Sequence, residues 1–236
     1  MKGILVVFAK RPQAGRVKTR LCPPFTPDQA AEFYACMLDD VLESSSYAAT
    51  QLGLALGLAV HPPEACDLLA RRAPRGTRIL AQRGDDLGER MGRAVEEAHA
   101  AGFAPVLLRG SDSPALGPDA LRSAVEVLSR ADGVIGPDRD GGYNLVGLRR
   151  PVPSLFAHAM STAGVLEETR ARARARGLDF ELLPPGFDID TVADLALLAR
   201  ARRAVTVSLC PRTLAWLDRH DAWSWVENAS PSAPNS

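Results

Sequence analysis

The sequence is poor in the features that mark secreted and nucleic-acid-binding proteins. Its four cysteines, at positions 22, 36, 66 and 210 of 236, form no C-x-x-C pair and have no zinc-finger spacing. Lys plus Arg equal Asp plus Glu at 28 each, so no overall field attracts nucleic acid or an anionic membrane. We therefore expect free thiols in a reducing cytosol, no nucleic-acid partner, and an anion site that is local if there is one.

Long hydrophobic runs are also lacking. The apolar run Ile4 to Ala9 ends at Lys10 and Arg11, which makes it too short for the apolar region of a signal peptide. No window approaches the ~20 apolar residues of a membrane-spanning helix. The sequence predicts a cytoplasmic protein that does not insert into a membrane.

Strand and helix patterns alternate along most of the chain. Such alternation predicts βαβ units, a mostly parallel sheet and helices on both of its faces, in a single-domain, Rossmann-like α/β fold. The domain is predicted to span residues 1–203, followed by an extension packed on it (204–227) and a disordered tail (228–236). Strands are predicted at 4–9, 54–60, 79–82, 105–108, 133–136, 143–148 and 180–183, and helices at 27–43, 63–72, 87–101, 118–130, 165–176 (capped by Ser161 or Thr162) and 191–202.

The first candidate site is a basic loop directly after the first predicted strand. Ligands of open α/β sheets bind outside the carboxyl ends of the strands, and backbone N–H groups near a glycine approach phosphate closely while cations neutralise it. The loop matches neither a P-loop nor a dinucleotide fingerprint. It therefore indicates a polyphosphate site, with a merely solvated loop as the alternative. Its relevant residues are Lys10, Arg11, Gly15, Arg16, Lys18 and Arg20.

Carboxylates follow two other predicted strands. Asp112 can hold Mg²⁺, which prefers hard oxygen ligands, or it can cap a turn or helix. Alternation puts Asp188 and Asp190 on one side of an extended segment, where both would face one cation. The alternative is that Asp190 or Thr191 caps the following helix.

A glycine pair lies between the strands predicted at 133–136 and 143–148. Gly141 and Gly142 would let a substrate ring lie against the backbone, and Tyr143 would offer a stacking face. The sequence Asp-Gly-Gly is also ordinary hairpin-turn chemistry, so both readings stay open.

Five segments together, and in this order, resemble a bacterial family of GT-A glycosyltransferases described as nucleotide-diphospho-sugar transferase-like. That family includes proteins named arsenosugar-biosynthesis glycosyltransferases. The resemblance covers about residues 3–203, and its motifs are specific only as a set. The segments are FAKRPQAGRVKTRL, QRGDDLGERM, GSDSPAL, GPDRDGGYNLVGL and FDIDTVADL.

The resemblance implies a GT-A fold that holds a nucleotide-diphospho-sugar with Mg²⁺ or Mn²⁺. Asp112 matches the family's metal-site aspartate, and Asp190 matches the aspartate that completes metal binding in related nucleotidyltransferases. Asp188 is a third candidate metal ligand. The implied nucleotide-binding residues are Ala9, Lys10, Gly15, Arg16, Lys18, Arg20, Gln82, Gly84 and Gly88, of which the last three lie near the base.

The implied reaction transfers a sugar to a small-molecule acceptor. Asp112, with the bound metal, and the phosphate-facing pair Lys18 and Arg20 would stabilise the departing diphosphate, and Asp140 is the candidate base for the acceptor hydroxyl. The candidate sugar or acceptor residues are Gly141, Gly142, Tyr143 and Asn144, where this chain has Tyr-Asn in place of the Tyr-Tyr of many relatives.

Two other functions stay open. The basic loop and the following helix also resemble 2-phospho-lactate guanylyltransferase, through the shared run KTRL, which implies transfer of a nucleotidyl group from a nucleoside triphosphate. A nucleotide-sensing protein without turnover would keep the basic loop and need no activated acceptor.

Overall fold

Seven strands form one sheet in the computed structural model, which describes residues 2–160, 162–203 and 209–229. The strands are β1 (Lys2–Lys10), β2 (Ala55–His61), β3 (Arg78–Ala81), β4 (Phe103–Gly110), β5 (Gly133–Pro137), β6 (Tyr143–Leu148) and β7 (Phe180–Leu182). Their order in the sheet is β3-β2-β1-β4-β6-β5-β7. Strand β6 runs antiparallel to β4 and β5, and the other pairs are parallel. The predicted mostly parallel mixed sheet is confirmed.

Helices cover both faces of this sheet. They are α1 (Pro27–Gln51), α2 (Cys66–Ala70), α3 (Leu87–Ala100), α4 (Pro118–Val127), α5 (Val165–Arg174), α6 (Val192–Arg203), α7 (Pro211–Arg219) and α8 (Trp223–Ala229). Leu5 and Val7 of β1 pack with α1 and α4, whereas Ile4 and Val6 pack with α3 and α5 on the other face. A central strand buried on both faces needs a continuous apolar run, which is why the period-two pattern is missing there. The α/β, Rossmann-like GT-A fold class is confirmed.

Two helix ends differ from the sequence predictions. Helix α1 continues to Gln51 instead of ending near residue 43, because the small residues Ser45, Ala48 and Ala49 are buried against the domain and extend its packed face. Helix α5 has Gly164 as its N-cap and no side-chain cap. The Val165 amide bonds the Thr162 backbone carbonyl, so the expected side-chain cap by Thr162 is wrong, and Ser161 lies outside the described residues.

The C-terminal extension contains two helices, α7 and α8, that are absent from the sequence predictions. Trp216 of α7 is buried, and its ring lies 5.2 Å from those of both Phe25 and Phe33. Asp40 of α1 caps α7, accepting hydrogen bonds from the Thr213 amide at 2.8 Å and the Thr213 hydroxyl at 2.7 Å. Helix α8 ends at Ala229, so the predicted tail begins inside a helix, and residues 230–236 lie outside the described part of the chain.

Two of the predictions from composition concern the cysteines and the helices. The four cysteines form no disulfide, and Cys210 is buried while Cys22, Cys36 and Cys66 are partly buried. None of the helices in the described ranges combines the length and the apolar character needed to cross a membrane.

The Asp40 cap predicts a specific loss of stability. Asp40→Ala removes a fully buried carboxylate that satisfies α7 donors, and we expect the free energy of unfolding in urea to fall by about 2–3 kcal/mol. Asp39→Ala on the same helix breaks a partly exposed pair with Arg72 and should cost less than about 1 kcal/mol. Equal losses in the two variants would contradict the cap.

Candidate functional site

A cavity of about 520 Å³ opens at the carboxyl ends of β1, β3 and β4. The loop after β1, the start of α3 and the loop after β4 form its walls. Carboxyl ends of parallel strands meet at one edge of a sheet, so segments far apart in sequence contribute to one site. Five cations line this first cavity: Lys10, Arg16, Lys18, Arg20 and Arg90.

Lys18 lies at the centre of the cavity's charged groups. Its ammonium nitrogen is 2.5 Å from Asp112 Oδ1 and 2.8 Å from Asp190 Oδ1, so those two oxygens are at most about 5.3 Å apart. The side chain is only 4% exposed. Burial acts to lower the pKa of Lys18, but the carboxylates of Asp112 and Asp190 outweigh it and hold that pKa above its ordinary value. The ammonium is therefore a permanent cation shared by both carboxylates.

The local backbone aims Lys18 inward. Its φ of 49° is left-handed, a conformation that turns the chain sharply before the 3₁₀ turn Thr19–Leu21. Val17 and Leu21 are buried on either side, which anchors the loop to the domain. Arg20 stays exposed, and its guanidinium lies 3.6 Å from Asp190 Oδ2.

The backbone of Asp190 and Thr191, just before α6, is held by Asp194 in the first turn of that helix. Asp194 accepts hydrogen bonds from the backbone N–H groups of Asp190 at 3.1 Å and Thr191 at 2.7 Å. Thr191 is the residue immediately before α6, so the alternative that it caps the helix stays open, whereas the Asp190 carboxylate binds Lys18. The Ile189 amide also bonds the Asp112 carbonyl at 2.9 Å, which holds the two acidic segments side by side.

A second cavity of about 270 Å³ adjoins the first and shares four lining residues with it: Phe8, Leu87, Gly110 and Asp190. Asp138 and Asp188 add their carboxylates to its lining. Burial, followed by the charges of Asp112 and Asp138, raises the pKa of Asp188 to about 8, and the Ser113 hydroxyl donates a hydrogen bond to its carboxylate. Burial also raises the pKa of Asp138. A cation bound beside these groups would oppose this rise and favour the ionised carboxylates.

The sequence predictions did not include Tyr34, which links two walls of the first cavity. Its hydroxyl accepts a hydrogen bond from the Lys10 amide at 2.9 Å and shares another with the Ser111 hydroxyl at 2.8 Å. Burial, with a smaller contribution from Asp112, raises the pKa of Tyr34 to about 12, so the phenol stays neutral. Helical periodicity marks Tyr34 only as a core position, and the sequence carries no signal for this role.

Arg109 was also missed as a site residue. Its buried guanidinium donates to the Ser113 carbonyl at 3.0 Å and the Ser45 hydroxyl at 3.0 Å, and more weakly to the Leu116 carbonyl at 3.4 Å. Burial lowers its pKa to about 10, which leaves it charged at neutral pH. Arg109 thus braces the loop that carries Asp112.

The structure brings most of the predicted nucleotide-binding residues together. Ala9, Lys10, Arg16, Lys18, Arg20 and Gln82 all line the first cavity. The side-chain amide nitrogen of Gln82 donates to the carbonyls of Ala59 at 2.9 Å and Ala9 at 3.3 Å. These bonds fix the side chain across the ends of three strands. Five cations against Asp86, Asp112 and Asp190 make this cavity suited to a polyphosphate.

Three predicted glycines do not line the first cavity. Gly15 has a φ of 71° in an exposed turn with open space around it. A Cβ on Gly84 would lie 3.0 Å from the Glu89 side chain, and one on Gly88 would lie 2.1 Å from the Phe156 carbonyl. The close packing of α3 on the segment at Pro153–Phe156 therefore requires Gly88, and its place near the base stays a prediction.

Of the predicted glycine pair, only Gly142 lines one of the two cavities. Gly141 has a φ of 91° and packs so closely on Ala163 that a Cβ would lie 2.0 Å from its carbonyl oxygen. Gly142 lines the second cavity, and its amide donates to the Asp140 carboxylate at 2.9 Å. Tyr143 and Asn144 also line that cavity, with the Tyr143 hydroxyl near Thr169.

Comparisons with known proteins agree with this geometry. A family model described as "Uncharacterized protein conserved in bacteria (DUF2064)" matches residues 46–162. A crystal structure from Desulfovibrio desulfuricans G20, of a protein provisionally named a nucleotide-diphospho-sugar transferase, has 32% sequence identity and a TM-score of 0.83. The match covers 94% of this chain and 96% of that one. This chain belongs to the DUF2064 family.

Two more distant similarities extend the comparison of this DUF2064 protein. The 2-phospho-L-lactate guanylyltransferase of Methanothermobacter thermautotrophicus is 29% identical over 182 residues, which are 75% of this chain and 76% of that protein. Rv0371c of Mycobacterium tuberculosis H37Rv, solved in complex with manganese, is 21% identical with a TM-score of 0.51 over 85% of this chain and all of its own. The latter similarity concerns the fold alone.

The Tyr34 link predicts that one hydroxyl stabilises the site. Tyr34→Phe leaves the Lys10 amide and the Ser111 hydroxyl without this buried partner, and we expect the free energy of unfolding to fall by about 1–2 kcal/mol. Tyr47→Phe is the matched control, because Tyr47 lies on the same helix and is 60% exposed. Chemical denaturation compares the two, and an unchanged midpoint for Tyr34→Phe would contradict the link.

Proposed function

We propose that this DUF2064 protein is a metal-dependent glycosyltransferase that uses a nucleotide-diphospho-sugar donor and a small-molecule acceptor. The observation that carries the proposal is the pair of adjoining cavities, one rich in cations and one lined by carboxylates and apolar side chains. A diphosphate in the first cavity would direct the group attached to it into the second. The similarity to the Desulfovibrio desulfuricans protein supports the same reading.

The basic groups of the first cavity would hold the diphosphate. Lys18 is already the shared cation of two carboxylates, and Arg16, Arg20 and Arg90 lie on the lining around it. As the bond from the sugar to the diphosphate breaks, negative charge grows on the departing phosphate oxygens. Fixed cations that meet this charge without rearrangement lower the barrier.

The acidic groups fit a divalent cation. Asp112 and Asp190 offer hard oxygen ligands close enough together to share one positive centre, as they share the Lys18 ammonium. Mg²⁺ commonly uses one or two carboxylates together with substrate phosphates, so a set of three protein ligands is not required. Asp188 is the additional candidate ligand beside Asp112. When bound, Mg²⁺ or Mn²⁺ would neutralise phosphate charge.

At the anomeric carbon of the sugar, the transfer forms one bond and breaks one. The acceptor hydroxyl oxygen bonds the sugar's anomeric carbon, the nucleoside diphosphate leaves, and the hydroxyl proton passes to a base. Asp140 is the proposed base because it lines the second cavity and is exposed there. Its bond from the Gly142 amide orients the carboxylate and leaves oxygen lone pairs for a substrate proton.

Nucleotidyl transfer is the second candidate, favoured by the 29% identity to a guanylyltransferase. Both reactions need neutralised phosphate oxygens, and they differ in which bond breaks. In nucleotidyl transfer the acceptor attacks the α-phosphate of a nucleoside triphosphate and pyrophosphate leaves.

Product analysis separates the two reactions. With Mn²⁺ and a panel of nucleotide sugars, we expect slow release of nucleoside diphosphate even without acceptor, because water replaces the acceptor hydroxyl. No turnover of that panel, together with pyrophosphate release from GTP or CTP in the presence of 2-phospho-L-lactate, would establish the second candidate.

The metal proposal predicts a selective binding defect. Asp112→Asn should weaken the binding of a nucleoside diphosphate in the presence of Mg²⁺ by at least about tenfold, because a carboxylate ligand of the cation is lost. Isothermal titration calorimetry measures the affinity, and the unfolding midpoint checks that the fold is intact. Asp119→Asn, at a side chain that is 97% exposed, is the control and should bind normally. Equal affinities in the two variants would argue against Asp112 as a ligand.

A further inference from the structure

We infer that the second cavity selects an uncharged or cationic acceptor that carries both a polar group and an apolar group, and that it rejects phosphorylated acids. The inference rests on the proposed function, since it describes the acceptor of that reaction. It depends on three independent properties of the cavity: its charges, a polar side chain without a partner, and its apolar wall.

The charges of the second cavity disfavour an anion. Asp138, Asp140 and Asp188 line it, and Asp190 lies at its border with the first cavity. Among the described lining residues the only cation is Arg109, whose guanidinium bonds Ser45, Ser113 and Leu116 on the far side of the strand end. Away from the metal proposed at Asp112 and Asp190, a phosphate or carboxylate in the cavity would meet acidic oxygens and no side chain with a free positive charge.

Asn144 marks a position for a hydrogen-bonding ligand. It is 3% exposed and lines the cavity, yet neither its amide nitrogen nor its amide oxygen has a hydrogen-bond partner. Its carboxamide lies between Gly136 and Gly186, where a Cβ would approach it to 3.1 and 2.4 Å. Buried amides are nearly always paired, so this unpaired donor and acceptor indicate a side chain that turns toward the cavity when a ligand group completes them.

The remaining wall is apolar. Leu87 and Met91 of α3 face the cavity together with Met160 and Val165. Methionine side chains adapt their shape to irregular apolar groups. A fully hydrophilic acceptor would leave this wall unused, whereas a hydrocarbon group beside the reacting hydroxyl would bury it.

Three small probes that share a three-carbon skeleton test the charge preference. They are 1-amino-2-propanol (a cation), lactamide (neutral) and 2-phospho-L-lactate (an anion), examined by saturation-transfer NMR with protein, Mg²⁺ and saturating nucleoside diphosphate. We expect transfer to the first two and none to the third. Transfer to the anion as strong as to the others, or transfer to none of the three, overturns the inference.

Variants locate the binding within the cavity. Asn144→Leu should weaken lactamide binding roughly tenfold, because the ligand loses its amide partner. The double variant Asp138→Asn, Asp140→Asn should weaken 1-amino-2-propanol roughly tenfold and leave lactamide nearly unchanged. Asp67→Asn, at an exposed position on α2, is the matched control for lost charge. Probes that bind every variant equally would contradict the assignment, and the wild-type ranking stands even if a variant fails to fold.

Nucleotide binding in the same samples distinguishes failure of the proposed function from failure of the inference about the acceptor. If no nucleoside diphosphate binds with Mg²⁺, the proposed function fails and the inference fails with it. If the nucleotide binds but the probe ranking is reversed, only the inference fails.

Discussion

The site depends on one buried ammonium group shared by two carboxylates. Lys18 joins the loop after β1 to Asp112, which follows β4, and to Asp190, which precedes α6. Two carboxylates this close would repel each other and hold protons unless a cation lies between them. The pKa of Asp190 shows the effect: burial acts to raise it, but Lys18 and Arg20 hold it below its ordinary value. Lys18 therefore keeps the cation-lined edge of the sheet charged and holds its two acidic segments together.

Neutral and charged supports hold the groups around Lys18 in place. Tyr34 connects the end of β1 to Ser111, and Arg109 binds the carbonyls of the loop that follows. Asp194, in the first turn of α6, holds the backbone amides of Asp190 and Thr191, and the Asp190 carboxylate binds Lys18. Each support is buried or partly buried, so its hydrogen bonds compete little with water and their loss costs more than at the surface. The geometry of the site is thus set partly by neutral and charged groups behind Lys18, Asp112 and Asp190.

The sequence predicts those features that depend on local patterns. Strand and helix alternation gave the sheet and its two helical layers, and the rule that ligands bind at the carboxyl ends of strands brought the basic loop, Asp112 and Asp190 to one edge. The sequence could not show that Tyr34 or Arg109 supports the site. The same local pattern surrounds a tyrosine on a helix face, or an arginine at a strand end, whether or not its side chain holds a functional loop. Local patterns also could not show that long-range backbone packing requires Gly88 and Gly141.

The two adjoining cavities concentrate opposite charges in a chain whose formal net charge is zero. Cations are concentrated on the first cavity and carboxylates on the second, with Asp190 on the boundary between them. A molecule that is anionic at one end and neutral or cationic at the other would be oriented by this gradient before any specific contact forms. A nucleotide sugar with its acceptor has that distribution, because its charge ends at the diphosphate. A phosphorylated acid acceptor would bring its negative charge next to the carboxylates of the second cavity.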